Sequence, residues 1–280
     1  MKKISITAFL IVTLLLIICH PIYGQANKID ISGSSTMLPF ITEIAELHKE
    51  IQGIDFSISA GGSGTGVKNT ISGTSHIGMA SRVIKAEEKQ QLADLLVGLD
   101  TIVFVVNERN PVNEINKQQL IQIYSDGKTS WEQFGGEKTP IFLVSKEIGR
   151  ATLELFEEFT GLKSPKRKLE NQIEILDTAI EVGANIEVAT LVGGIPNAIG
   201  YLSLGTAIEL QEKGMPIKIL KLEGVEANVE NVVNGSYPIL RELNVVYRDA
   251  NELQVRTLLD LLLSEQGQAI IEKHSFIPVR

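Results

Sequence analysis

Residues 55–72 read DFSISAGGSGTGVKNTIS, and this stretch decides the fold. Asp55 to Ala60 alternates apolar and polar residues as a half-buried strand does, and a helix is under way over Gly66 to Ser72. The connection is Gly61-Gly62-Ser63-Gly64-Thr65-Gly66. Two other segments, Ser32-Gly33-Ser34-Ser35-Thr36 and Gly149-Arg150-Ala151-Thr152, also follow a strand-like run and open a helix-like one. The first-turn amides of a helix have no partner inside it, and the helix dipole leaves positive charge there. Glycine lets a ligand approach that backbone closely, and Ser or Thr adds a hydroxyl donor. Three such turns in one chain point to a pocket for a small tetrahedral oxyanion.

Outward from that stretch, strand and helix patterns alternate. Lys28–Ser32 reads as a strand, Pro39–Ile51 as a helix, His76–Ala80 as a short buried strand and Lys85–Leu96 as a polar helix. Thr101–Val106 is a continuous apolar run, the pattern of a strand buried on both faces. A second α/β set follows, with helices at Lys117–Tyr124, Ala151–Phe159 and Asp177–Val192 and strands at Pro140–Val144 and Ile199–Leu204. The chain closes with a strand at Tyr237–Tyr247, an amphipathic helix at Glu252–Leu263 and a tail. The pattern predicts an α/β protein of two lobes, each a mostly parallel sheet flanked by helices, joined by two crossings. Residues 27–104 and 238–280 form lobe 1, and residues 105–237 form lobe 2. The ligand belongs in the cleft, where the carboxyl ends of the strands meet helix N-termini.

The N-terminus carries an export signal: Lys2 and Lys3, an apolar run from Ile4 to Cys19, and small residues near Gly24 and Ala26 for cleavage. The expectation is a cleaved signal peptide over residues 1–26 and a periplasmic or otherwise extracytoplasmic protein. Cleavage removes Cys19, the single cysteine, so the mature chain holds no disulfide. The full chain has 280 residues and a formal charge of -8, which argues against nucleic-acid binding. An anion site must therefore work through local donors against an unfavourable overall field.

Seven segments occur in an order that carries a family likeness. They are Gly33–Thr36, Gly61–Lys68, Gly73–Arg82, Ile102–Asn107, Trp131–Gly136, Ala198–Gly205 and Leu262–Ile270. Together they resemble the phosphate-binding receptors of ABC-type phosphate importers, in their shorter bacterial form, over nearly the whole mature chain. The resemblance implies a two-lobed, type II periplasmic-binding-protein fold with a two-strand hinge, closing over one inorganic phosphate or a similar oxyanion. It implies a monomer whose partners are the membrane subunits of an ABC importer. Carried over by position, Ser35 and Thr36 donate from the first helix start, and Ser63, Gly64 and Thr65 from the second. Ser81 and Arg82 end the third strand, and lobe 2 contributes Lys146, Glu147, Gly149, Arg150, Ala151 and Thr152.

That last loop departs from the family. The usual Arg-Glu-Glu-Gly-Ser-Gly-Thr-Arg is here Lys146-Glu147-Ile148-Gly149-Arg150-Ala151-Thr152-Leu153. A serine donor is replaced by Arg150, whose fork can restore the charge of the lost flanking arginines. Glu147, or a hydroxyl of Ser35, Ser63 or Thr152, is the expected acceptor for the proton that distinguishes phosphate from sulphate. Molybdate, tungstate and sulphate are the alternative ligands, and a sensory module of the same fold is the alternative role.

Enzyme chemistry finds little in the sequence. Lys68 does not directly follow Gly66, so the glycine loop is not a nucleotide P-loop. A serine hydrolase would need His48, His76 or His274 as base, and each is read as structural. No cofactor, metal site or catalytic residue is expected.

Overall fold

The computed structural model describes residues 28–250 and 252–280; the signal segment and Cys19 lie outside the described residues. The first half runs β1 (Lys28–Gly33), α1 (Leu38–Gln52), β2 (Asp55–Ala60), α2 (Ser63–Ser72), β3 (Ile77–Ala80), α3 (Ala86–Lys89), β4 (Ala93–Asp100), β5 (Ile102–Asn107), β6 (Glu114–Ile115), α4 (Lys117–Ser125) and β7 (Phe142–Lys146). Then follow α5 (Ala151–Thr160), β8 (Ile180–Val182), α6 (Asn185–Gly194), β9 (Ala198–Ser203), α7 (Leu204–Glu212), β10 (Ile217–Ile219) and β11 (Lys221–Leu222). The chain ends with α8 (Val229–Val233), β12 (Arg241–Tyr247), α9 (Leu253–Leu262), α10 (Glu265–Lys273) and β13 (Ile277–Pro278).

Two large sheets build two lobes. The first has the order β13-β4-β12-β3-β1-β2 and the second β10-β5-β9-β7-β8. In the first sheet β1 to β4 run one way, with β12 inserted antiparallel between β3 and β4. In the second, β7 to β10 run one way and β5 runs against them. Each sheet thus contains one reversed inner strand, and each reversed strand begins where the chain crosses between lobes. The first core packs Ile29, Ile31 and Met79 of the sheet against Phe40, Ile44 and Leu258 of the helices. The second gathers Phe104, Tyr124, Phe156 and Tyr201, with the Phe156 and Tyr201 rings stacked at 4.3 Å.

The two crossings lie side by side. Arg241, which opens β12, is the register partner of Asp100, which ends β4. Next to them Thr101 Oγ1 donates to the Ile239 carbonyl at 2.6 Å, and Tyr237 Oη donates to the Ile102 carbonyl at 3.2 Å.

Several expected elements differ. The helix expected at Lys85–Leu96 is only Ala86–Lys89, and Ala93–Asp100 is a strand held between β12 and β13. The helix expected over Asp177–Val192 begins at Asn185, because Ile180–Val182 pairs with β7 and Gly183 interrupts the run. In both places long-range pairing overrides local pattern. The sheets change at Thr101, so residues 102–104, assigned by sequence to lobe 1, sit in the second sheet. The strand expected at Tyr237–Tyr247 starts at Arg241, since Pro238 lacks the amide a ladder needs. The tail expected after Leu263 holds α10 and β13.

Candidate oxyanion site

Three helix starts converge between the lobes. Ser34, Ser35 and Thr36 lead from β1 into α1, Gly62 and Ser63 from β2 into α2, and Arg150, Ala151 and Thr152 from β7 into α5. Ser81 at the end of β3, Lys146 at the end of β7 and Gly183 after β8 complete the lining of a small cavity. All three helix starts thus bring their positive dipole ends to the cavity. Gly62 makes the convergence sterically possible. Its φ is +97°, and a Cβ there would sit 2.8 Å from the Gly149 carbonyl of the other lobe.

The hydroxyls are held in a directed network. Thr36 N donates to Ser34 Oγ at 3.2 Å, and Ser34 Oγ donates to Ser81 Oγ at 2.9 Å. Ser81 N donates to Ser63 Oγ at 3.0 Å. Across the cavity, Lys146 is 1% exposed and its Nζ donates to the Gly183 carbonyl at 2.9 Å. Burial, helped by the Arg150 charge, pushes its pKa down to about 7, against an opposing pull from Glu187. An anion in the cavity supplies the counter-charge that this ammonium lacks. Arg150, with 17% of its side chain exposed, lines the cavity and donates from Nη2 to Glu147 Oε2 at 3.0 Å.

Of the thirteen residues expected at the site, eight line the cavity: Ser35, Thr36, Ser63, Ser81, Lys146, Arg150, Ala151 and Thr152. The other five stand around it. Gly64 N donates to the Gly149 carbonyl at 3.2 Å, so this amide and carbonyl bind one lobe to the other. Thr65 Oγ1 donates to the Gly61 carbonyl on the exposed side of α2. Arg82 holds Glu88 with two nitrogens, at 2.7 and 2.8 Å, and reaches Glu154 of lobe 2 at 3.2 Å. Glu147 is half exposed and turned to Arg150, so the acceptor role expected for its carboxylate has no support in this geometry.

Sequence reasoning missed the layer behind the site. Arg241 and Asp100 form an ion pair with 0% and 1% of their side chains exposed. Asp100 Oδ2 accepts from Arg241 Nε and Nη2, at 2.9 and 2.5 Å, and from Ser203 Oγ at 2.6 Å. Arg241 Nη1 then donates to Thr152 Oγ1 at 3.2 Å and Nη2 to Thr36 Oγ1 at 3.3 Å. Asn185 Nδ2 donates to the same Thr36 oxygen at 3.1 Å. The available signal was an acid and a base placed at the edges of two apolar runs, Asp100 before Ile102–Val106 and Arg241 before Leu243–Val246.

A two-lobed α/β scaffold that gathers helix N-termini, hydroxyls and two cations around one small cavity defines an anion-binding protein of the bilobal receptor class. The match to known proteins is of the same kind: residues 23–266 fit the PBP superfamily domain. A solved structure described as a putative phosphate ABC transporter substrate-binding protein with bound phosphate, from Clostridium perfringens, is 33% identical. It aligns over 91% of this chain and 100% of its own, with a TM-score of 0.81. The phosphate-binding protein PstS of Borreliella burgdorferi is 26% identical over the full length of both chains. PstS of Bacillus subtilis is 28% identical over 91% of this chain and 81% of its own. The chain belongs to the PBP superfamily, in the family of substrate-binding proteins that includes these phosphate receptors.

Proposed function

We propose that the protein is an extracytoplasmic receptor that closes its two lobes over inorganic phosphate and delivers it to an ABC importer. The observation that carries this reading is the convergence of the α1, α2 and α5 starts on a cavity also lined by Lys146 and Arg150. Such a lining offers donors on every side to a tetrahedral dianion. The phosphate bound to the Clostridium perfringens relative, and the names of the two PstS relatives, support the choice of anion. No histidine is among the described residues that line the cavity, and the reading assigns no chemistry to the site.

A second reading, a less selective oxyanion receptor, is favoured by one feature. Among the described residues no carboxylate lines the cavity, so nothing there repels the bare oxygens of sulphate. Calorimetric titration of the mature protein with phosphate, sulphate, molybdate and tungstate separates the two. Tight binding of phosphate with weak binding of sulphate supports the receptor as proposed; equal affinities would replace it with the second reading. Small-angle scattering should show a smaller radius of gyration with saturating phosphate, as ligand contacts from both lobes favour the closed state.

A further inference from the structure

Arg241 is placed to decide what kind of ligand oxygen the two threonines accept. A threonine hydroxyl carries one proton and two lone pairs, and by rotating it can serve as donor or acceptor. A guanidinium can only donate. Arg241 puts one N–H on Thr36 Oγ1, from lobe 1, and another on Thr152 Oγ1, from lobe 2. Asn185 puts a second N–H on Thr36. Both lone pairs of Thr36 are then occupied, and its remaining function is a proton facing the cavity it lines. The Asp100 carboxylate locks the guanidinium in this position with two hydrogen bonds of its own.

We infer that Arg241 is a positioning residue that, without touching the ligand, fixes the Thr36 hydroxyl as a donor, takes one of the two lone pairs of Thr152, and so orients the anion. This rests on the phosphate reading of the cavity. An oxygen facing Thr36 must be unprotonated. The protonated oxygen of phosphate is therefore turned away from Thr36, toward Ser35, Ser63 or Thr152, which keep accepting capacity. Because the two threonines come from different lobes, the same guanidinium engages a hydroxyl on both walls of the cleft when it is closed.

The test is a double-mutant cycle read as phosphate affinity by calorimetry, on the mature full-length protein. Arg241→Lys keeps a cation beside Asp100 but loses the fork that reaches both threonines. In the wild-type background it should weaken phosphate binding about tenfold, the scale of one to two hydrogen bonds. In a Thr36→Val, Thr152→Val background the same substitution should change affinity less than about twofold, since the groups through which Arg241 acts are gone. An equal loss in both backgrounds would overturn the inference and leave Arg241 a structural ion pair. If Arg241→Lys does not fold by circular dichroism, Asn185→Ala is carried through the same cycle against Thr36→Val alone, with the same two outcomes. Failure of the folded wild type to bind phosphate would overturn the receptor reading instead, and the cycle would then be run with sulphate.

Discussion

Arg150 replaces a serine donor with a charge, and its surroundings specify how that charge is used. Its side chain crosses from lobe 2 to lie against Gly62 of lobe 1, and Glu147 holds its Nη2 from the solvent side. Hydrogen bonds to charged groups contribute about 1.5–3 kcal/mol. Arg150→Ala should therefore weaken phosphate binding by roughly ten- to a hundredfold, measured by calorimetry. Lys146 adds a dependence on pH. Its folded pKa of about 7 lies below the ordinary 10.5, because burial penalises the cation before Arg150 and Arg241 add their repulsion, against Glu187 and Glu147. The unfolded chain keeps this proton to higher pH than the empty native state does. Stability of the empty protein therefore rises with pH from about 7 to about 10.5, and is flat with respect to this group below 7. A bound dianion reverses the preference, so phosphate binding at pH 8 should draw a proton onto Lys146. Affinity should fall by up to about tenfold per pH unit above 7. Titrations in buffers of different ionisation heat will read the uptake directly, and Lys146→Met should abolish it.

The segments after β2, β3 and β7 line the cavity and also hold each other. Gly64 N to the Gly149 carbonyl and Arg82 to Glu154 both span the cleft. Glu154→Ala removes the second contact while leaving Arg82 paired with Glu88. It should cost about two- to fivefold in phosphate affinity, the range of a partly exposed ion pair, with little change in melting temperature. Stopped-flow measurements should assign the loss to faster release. At this scale the sequence was informative wherever turn chemistry and local pattern agreed. The strand–turn–helix from Lys28 to Gln52 and the fully buried β5 stand where the pattern put them, while α2 starts at Ser63, inside the glycine segment read as a turn. It was not informative where a strand owes its existence to a distant neighbour. Ala93–Asp100 pairs with residues more than 140 positions away, and nothing in the polar run before it announces that. Misreading Ile180–Val182 as helix hid Gly183 and the side chain of Asn185, which stands behind Thr36. Arg241 was illegible for the same reason, since its meaning depends on Asp100, Thr36 and Thr152 arriving from three other elements.

At the scale of the molecule the two lobes are unequal in one respect. The second sheet is assembled from one continuous piece of chain, Ile102 to Ile219, and the residues that cover it run on to Ile239. The first is assembled from both ends, and β12, from the C-terminal end, occupies the middle of the sheet between β3 and β4. A chain made from its N-terminus therefore emerges with β3 and β4 complete but unpaired along their inner edges, until the last 40 residues arrive. Such edges are open to pairing with other chains, and their closure joins residues more than 140 positions apart. Lobe 2 should acquire structure first. A fragment spanning residues 102–239 should show cooperative melting and protected amides, whereas one ending at residue 239 and starting at residue 28 should protect β5, β7 and β9 but leave β3 and β4 open to exchange. Because β12 begins at Arg241, the final insertion also delivers the guanidinium that reaches both threonines, so the chain cannot complete its first lobe without at the same moment completing its binding site.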